Sequence, residues 1–368
     1  MERGSGALIP EHELVVDVHA HLFPAGLTDV SGRAGDVRWP ILVTGAEAGR
    51  IMCGETVFRR VRPPLWDLTS RLAELDAAGV DVQVVSPVPV TLTYWADPRQ
   101  AADFTSAMND GLARDVAASG GRLVGLGAVP LQDVGLAIDE LTRVRTQLGL
   151  HGVEIGTVIA GRELDDPELR PFFETAQSLG AVLFVHPMDG GTGTVRREGQ
   201  PYNFGLGMLT DTAIAATALV FGGVLDEFPD LRVVLAHGCG TFPWAYPRLR
   251  LGASLTDNGD LARFDELVRK LWVDALVFDP AHLGLLVHRF GGGHVMVGTD
   301  HPFVPGQLTA APDLVRTAAA ERFVADDVAR AILGTNAVDF LALTSAPAGP
   351  GDGHGASTGS TPWRTRTS

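Results

Sequence analysis

The sequence is poor in lysine and cysteine. Lys270 is the only lysine among 368 residues, so arginine carries almost all of the positive charge. The two cysteines, Cys53 and Cys239, lie far apart without metal-type spacing, which argues against a disulfide framework and favours a reducing compartment such as the cytoplasm. The formal net charge of −15 argues against nucleic acid or an anionic membrane surface as a partner.

Long apolar runs are also missing. The longest, at residues 212–225, is shorter than the ~20 residues that cross a bilayer. Residues 1–13 lack the apolar stretch that a signal peptide contains. We therefore expect a cytoplasmic protein without a membrane partner.

The sequence does contain a regular alternation of apolar, β-rich segments and stretches with helical spacing. Eight such segments predict an α/β fold, a TIM-type (β/α)8 barrel over residues 1–344, with one of its helices at 209–228. A doubly wound open sheet is the alternative, but no G-x-G-x-x-G motif follows the first strand. The predicted strands lie near residues 14–21, 80–90, 123–129, 152–157, 181–187, 232–238, 271–277 and 294–300.

Two segments fall outside this alternation. Residues 22–65, rich in glycine and proline, predict a small insertion lobe after the first strand, with short strands at 41–44 and 56–61. An insertion of this length next to candidate ligands more often contributes to function than serves only as a connection. Residues 345–368 are rich in glycine, serine, threonine and proline, which predicts a disordered tail.

The first predicted strand ends in two histidines, His19 and His21. Because side chains alternate along a strand, both imidazoles face the same side and can chelate a metal. Taken alone, the pair fits two surface histidines equally well. Three more polar residues end apolar strands at the same edge of the barrel, where barrel enzymes carry their chemistry: His186, His237 and Asp300.

These residue types predict a metal centre. Three imidazoles and one carboxylate suit zinc with a water in the open position, and iron, cobalt or manganese fit the same set. We assign His19, His21, His186 and Asp300 as metal ligands. We count Asp300 as a catalytic residue too, together with His237. His237 is then the natural general base for the metal-activated water, with a role as a fifth ligand as the alternative.

Four motifs resemble those of the amidohydrolase superfamily, specifically its decarboxylase branch. They are DVHAHLFP, LFVHP, LAHGCGTFPW and VMVGTDHPF, and the resemblance extends over roughly residues 14–343. Within the branch, the chain resembles the decarboxylases of 2-amino-3-carboxymuconate 6-semialdehyde. The resemblance implies a non-oxidative decarboxylase without an organic cofactor, in which a zinc-bound hydroxide, activated by His237, adds to the substrate.

The resemblance also implies how the substrate is held. Arg59 matches a residue that grips a substrate carboxylate, and Arg248 matches an arginine that the neighbouring subunit supplies. Guanidinium groups bind carboxylates in a bidentate geometry, so we expect a small anionic carboxylate as the substrate. An arginine supplied by a neighbouring subunit requires at least a dimer, so we expect a homodimer. Tyr94 and Trp95 match residues of the substrate pocket, with packing at the barrel mouth as the alternative.

The resemblance bears on the number of metals too. Binuclear members of the superfamily bridge their metals with a carboxylated lysine on the fourth barrel strand, whereas Lys270 lies before the seventh. One metal is therefore the expectation. Glu154, on the fourth strand, is the residue that could bridge a second.

The chain departs from the family pattern in the substrate pocket. Phe204 stands where the family carries a substrate-packing tryptophan, and Met188 replaces a tryptophan after the strand-five histidine. Both changes spare the ligands, so they bear on the substrate more than on the reaction. The alternatives are a decarboxylase of an aromatic hydroxy acid, of the resorcylate or carboxyvanillate type, and a metal-dependent hydrolase. A metal-binding protein without activity is disfavoured by the complete ligand set with its base.

Overall fold

The computed structural model describes residues 13–27, 36, 38–256 and 261–343. The predicted tail at 345–368 lies outside these residues. All eight predicted barrel strands are confirmed; they run parallel, in chain order around one sheet. The strands are β1 (Val16–Leu22), β2 (Pro40–Val43), β3 (Gly49–Cys53), β4 (Thr56–Val61), β5 (Val82–Pro87), β6 (Leu123–Ala128), β7 (Gly152–Gly156), β8 (Val158–Ile159), β9 (Arg162–Glu163), β10 (Val182–His186), β11 (Arg232–Leu235), β12 (Trp272–Asp274) and β13 (Val295–Met296).

The barrel consists of β1, β5, β6, β7 and β10 to β13, and it closes where β13 meets β1. The backbone N–H of Val18 donates to the carbonyl of Val297 at 2.8 Å, and that of Asp300 donates to the carbonyl of His19 at 2.8 Å. These bonds use the edge groups that an open sheet would leave unpaired. The fold is therefore the predicted (β/α)8 barrel and not a doubly wound sheet.

The helices surround the barrel, and aspartate side chains cap several of them. Asp67 accepts the N–H of Ser70 at 2.7 Å, and Asp133 accepts that of Leu136 at 3.0 Å, which satisfies donors that a helix start leaves free. The helices are α1 (Leu68–Ala78), α2 (Pro98–Ala118), α3 (Val134–Thr146), α4 (Arg170–Ser178), α5 (Met208–Phe221), α6 (Val224–Glu227), α7 (Phe242–Thr256), α8 (Leu261–Val268), α9 (Pro280–Phe290), α10 (Gln307–Ala320), α11 (Asp326–Arg330) and α12 (Asn336–Leu341).

The single helix predicted over 209–228 is wrong in one respect, because the chain breaks it between α5 and α6. Gly222 caps α5, and Gly223 has a φ of 82°, a left-handed conformation that glycine adopts without steric cost. Helical spacing of apolar residues continues across the break, so periodicity alone did not reveal it.

The last helix closes the N-terminal end of the barrel. Ala337, Phe340 and Leu341 of α12 pack in one cluster with the inward-facing strand residues. The carbonyl of Phe340 also accepts from the side chain of Arg232, the first residue of β11, at 3.3 Å. The opposite, C-terminal end is thus the one that faces outward, as in barrel enzymes generally.

The insertion lobe after β1 is a three-stranded antiparallel sheet, β2–β3–β4, where the sequence predicted two strands. The missed strand, β3, is the central one. It has five residues and starts at a glycine, too short for alternation to stand out, although Ile51 is buried and Arg50 exposed. Ile51 packs with Trp39, Leu65 and Phe104, which fixes the lobe against α2.

One helical stretch, Asn203–Phe221, is long and apolar enough by length and composition alone to cross a membrane. Half of it is buried inside the protein. The core helix of a globular protein has the same length and composition, so this stretch is weak evidence for a membrane span.

Candidate metal centre

The structure brings the predicted metal ligands together at the C-terminal end of the barrel. His19 and His21 lie two residues apart in β1, so both side chains point to the same side. His186 is the last residue of β10, and Asp300 follows β13. One ligand atom from each of the four lies within 4.8 Å of all the others, a spacing that suits a single ion, and all four residues are buried.

The three imidazoles present the same nitrogen to the centre. On the far side of the rings, Nδ1 of His19 contacts Oδ2 of Asp274 at 2.7 Å. Nδ1 of His21 contacts the carbonyl oxygen of Pro87 at 3.1 Å, and Nδ1 of His186 contacts that of Pro187 at 2.8 Å. These acceptors place the proton on Nδ1 and leave a lone pair on Nε2. The three Nε2 atoms are buried without a hydrogen-bond partner in the described part of the chain.

The carboxylate completes the donor set. Oδ1 of Asp300 lies 3.3 Å from Nε2 of His21 and 3.8 Å from Nε2 of His19. Burial raises the pKa of Asp300, but interaction with His21 and His19 outweighs it and holds the pKa below its usual range. Three orphaned imidazole nitrogens facing an ionised carboxylate are costly to bury unless a cation joins them. The residues therefore fit a divalent metal.

His237 lies beside the ligands without belonging to their group. Its ring centroid is 5.0 Å from that of His186 and 5.2 Å from that of His19. Burial lowers the pKa of His237 to about 4, so the ring is neutral at pH 7. Its Nδ1 has no hydrogen-bond partner among the described residues, which leaves this side chain able to exchange a proton.

Asp274 is the functional candidate that sequence reasoning missed. This buried carboxylate ends β12 and accepts a hydrogen bond from Nδ1 of His19. Burial alone lowers the pKa of His19, but without a metal the hydrogen bond and the charge of Asp274 outweigh it and raise the pKa to about 9, so a metal that binds at Nε2 would displace a proton there. The signal was present, because Asp274 is a polar residue at the C-terminal end of an apolar strand, as each of the recognised ligands is.

Glu154 lies outside the ligand group, although it was the candidate for bridging a second metal. Its Oε2 is 3.7 Å from Nδ1 of His21, the nitrogen that faces away from the centre, and it accepts a hydrogen bond from Ser86. Burial raises the pKa of Glu154 to about 8. Oε2 of Glu154 therefore lies behind His21, on the side away from the centre.

Arg59, one of the predicted substrate contacts, lies on the side of the lobe next to the metal centre. It is exposed on β4, and its guanidinium carbon is 4.4 Å from the ring centroid of Phe303. The Phe303 ring in turn lies 5.5 Å from that of His21. Arg59 is therefore one aromatic ring away from a metal ligand.

Tyr94 and Trp95 are placed differently from each other. Tyr94 is buried in the core, and its hydroxyl accepts the N–H of Gly156 at 3.3 Å. Trp95 is partly exposed under the lobe, where the guanidinium carbon of Arg38 lies 4.0 Å from its ring centroid. Neither contact involves a metal ligand.

Phe204 and His237 line the same cavity of about 650 Å³. The Phe204 ring is half-exposed and lies 6.1 Å from that of Phe278. The wall is mostly apolar, with Trp244 at the rim. This cavity opens directly onto the candidate base.

Arg248 is exposed on α7 and lines a separate groove of about 680 Å³. None of the five residues of the metal centre and its base lines that groove. Within one subunit, Arg248 is thus apart from the site to which sequence reasoning assigned it through a neighbouring subunit.

The family model for amidohydrolases matches residues 16–343. The chain belongs to the amidohydrolase family. The fold and the ligand pattern of this amidohydrolase agree with that membership, since the match covers every barrel strand and every residue of the centre.

Several relatives of this amidohydrolase are named as decarboxylases. It is 34% identical over 345 residues to the 2-amino-3-carboxymuconate-6-semialdehyde decarboxylase of Dictyostelium discoideum, covering 90% of this chain and 92% of that one. It is 28% identical over 262 residues to the gamma-resorcylate decarboxylase of Rhodococcus jostii, covering 63% and 76%. The apo crystal structure of IDCase from Metarhizium anisopliae superposes with a TM-score of 0.72 at 25% identity, covering 89% and 97%. This amidohydrolase is accordingly a metal-dependent decarboxylase.

Proposed function

We propose that this amidohydrolase removes carbon dioxide non-oxidatively from 2-amino-3-carboxymuconate 6-semialdehyde or a close analogue. The observation that carries the proposal is the 34% identity to a decarboxylase of that substrate over nine-tenths of both chains. We further propose one zinc ion as the cofactor, because imidazole nitrogens and carboxylate oxygens are among its usual ligands and the four candidate ligand atoms lie close enough for one ion.

The chain's own residues divide the work. When bound, the metal supplies a Lewis acid that makes water acidic enough to lose a proton near neutral pH. His237 is neutral at pH 7 and lies beside the ligands, so it would accept that proton and later donate it to the substrate, which must gain one proton when carbon dioxide leaves. Asp300 stays ionised and helps to offset the charge of the cation.

Two arginines hold the substrate carboxylates in this proposal. Arg59 lies one ring away from His21 and provides a planar pair of donors at the mouth of the barrel. Arg248 is exposed and apart from its own centre, which supports a homodimer in which each subunit supplies this residue to the other. The remaining partner is a small anionic substrate; we propose no nucleic acid or membrane partner and a cytoplasmic location.

A second candidate is decarboxylation of an aromatic hydroxy acid. The mostly apolar cavity beside His237 favours it, because Phe204 and Phe278 offer flat walls to an aromatic ring. The gamma-resorcylate decarboxylase among the relatives supports the same alternative. Its lower identity and coverage place it behind the first proposal.

The deciding experiment is a panel assay on the purified zinc form. Loss of ultraviolet absorbance and release of carbon dioxide are followed with freshly made 2-amino-3-carboxymuconate 6-semialdehyde and, in parallel, with several hydroxybenzoates. We expect the semialdehyde to be consumed with the highest kcat/KM. A hydroxybenzoate as the best substrate would establish the second candidate, and carbon dioxide from none of them would contradict both.

A further inference from the structure

A single buried carboxylate, Asp274, connects two parts of the centre that lie on different strands. It ends β12, is fully buried and accepts four hydrogen bonds. A carboxylate has about four acceptor positions, so its capacity is used completely. The donors are Nδ1 of His19 at 2.7 Å and the backbone N–H groups of His237 at 2.9 Å, Gly238 at 2.9 Å and Leu276 at 3.0 Å.

The first of these bonds acts on a metal ligand. By accepting from Nδ1 of His19, Asp274 keeps the proton on that nitrogen and turns the lone pair of Nε2 toward the centre. A carboxylate behind a ligating imidazole also makes the imidazole a stronger donor to the metal. Asp274 therefore acts on the affinity of the centre for its ion.

Two of the other bonds act on the turn that carries the base. His237, Gly238, Cys239 and Gly240 have φ values of 57°, 61°, 64° and 59°, all in the left-handed region. For His237 and Cys239, which have side chains, this conformation is strained and must be held by surrounding contacts. The two N–H groups bound by Asp274 lie in this turn.

Gly298, on the chain after β13, leaves room for the pair. A Cβ atom at this position would lie 2.6 Å from Cβ of Asp274 and 3.0 Å from Cβ of His19. Any side chain at residue 298 would therefore push these two residues apart. The close approach of carboxylate and imidazole depends on a glycine from a third segment of the chain.

We propose that Asp274 is a positioning residue that couples metal affinity to the placement of His237. One carboxylate orients the imidazole of a ligand through Oδ2 and the turn of the base through both oxygens. The part on metal affinity stands by itself, whereas the part on turnover rests on the proposed decarboxylase function.

The first test is Asp274→Asn. All four partners are donors, and an amide NH2 group cannot accept from any of them, so at least one side of the bonding is lost. We expect the metal Kd to weaken about 10- to 100-fold, measured by competition with a chromophoric zinc chelator. We also expect kcat to fall about tenfold or more at saturating zinc, because the turn of His237 loses its support.

His237→Ala is the comparison variant, since it should lower kcat while leaving the zinc Kd near that of the wild type. Asp274→Asn is expected to change both quantities in protein that circular dichroism shows to be folded at the assay temperature. A wild-type zinc Kd in folded Asp274→Asn overturns the proposal, as does a wild-type kcat at saturating zinc. If zinc affinity falls but no protein, wild type included, decarboxylates any substrate, the proposed function fails and the part on metal affinity stands.

Gly298→Ala decides the matter if Asp274→Asn does not fold. It leaves the chemistry of Asp274 intact and separates it from His19, so zinc affinity should again fall and the visible spectrum of the cobalt-substituted protein should change. The matched control is Gly293→Ala, because a Cβ atom there meets nothing within 4 Å. An unchanged spectrum and zinc Kd in Gly298→Ala, equal to those of Gly293→Ala, overturn the proposal.

Discussion

The metal centre and the substrate side of this amidohydrolase are built in different ways. The ligands His19, His21 and His186 lie in strands whose register is set by hydrogen bonding to neighbouring strands, and they are fully or almost fully buried. Arg59 lies on the insertion lobe and Phe204 on the helical segment that leads into α5; both lie outside the barrel and are partly exposed. In the proposed function, buried strands thus carry the metal ligands, and exposed segments outside the barrel carry the proposed substrate contacts.

Removing a metal ligand should have the largest effect on zinc binding and turnover. Asp300→Ala takes away the carboxylate that faces two Nε2 atoms, so we expect zinc binding to be lost and turnover to fall to background. Elemental analysis after gel filtration and the decarboxylation assay measure the two effects. Asp313→Ala, an exposed carboxylate on α10, is the control and should behave like the wild type. Zinc retained at one ion per subunit in Asp300→Ala would contradict the ligand assignment.

Removing the base should separate metal binding from catalysis. In His237→Ala we expect kcat to fall about 10²- to 10⁴-fold, the usual contribution of a general base, while zinc content stays at the wild-type level. Steady-state kinetics and elemental analysis of the same preparation give both numbers. His288→Ala, at an exposed position of α9, controls for histidine removal as such. Loss of zinc from His237→Ala would instead make His237 a fifth ligand.

A change on the lobe should act on binding and spare the metal. Arg59→Gln removes a charged donor pair, so KM should rise about 10- to 100-fold with zinc content unchanged. Arg59→Lys keeps the positive charge but not the planar pair of donors, so its KM should lie between those of the wild type and Arg59→Gln. Arg60→Gln, the neighbouring exposed residue of β4, is the control. If KM of Arg59→Gln equals that of Arg60→Gln, Arg59 does not hold the substrate.

The smallest effect is expected at the cavity wall. Phe204→Trp restores the residue type that the family carries, so the ratio of kcat/KM for the semialdehyde to that for a hydroxybenzoate should rise by up to about tenfold. The two substrates are measured on one preparation, beside Phe323→Trp, which changes an exposed aromatic residue away from this cavity. A ratio that stays constant would show that the wall at residue 204 does not select between them.

The contrast also explains which features could be predicted from the sequence. Alternation along a strand gives the facing of His19 and His21, and the shared end of parallel strands gives the meeting with His186 and Asp300. Both follow from backbone geometry, so a single sequence is sufficient. The eight strands were predicted from local patterns too, because apolar, β-rich segments alternate with stretches of helical spacing along the chain.

Other features depend on contacts between distant segments. Asp274 accepts hydrogen bonds from the side chain of His19 and the backbone of His237. Its position at the end of an apolar strand marks it as a candidate, but the local sequence does not show which donors it binds. Strand β3 is held by its two neighbours more than by its own short sequence. For Arg59, Arg248, Phe204, Tyr94 and Trp95, the structure gives positions, and their roles remain predictions.

The meeting of β1 with β13 has a consequence for how the protein matures. The backbone bond from Asp300 to His19 that closes the barrel joins residues whose side chains are both metal ligands. A growing chain presents His19 and His21 almost at once, but nearly all the rest must be synthesised before Asp300 exists. The complete centre can form only when β1 has paired with the segment that contains β13 and Asp300. Binding of a metal by all four candidate ligands therefore requires that the barrel is closed.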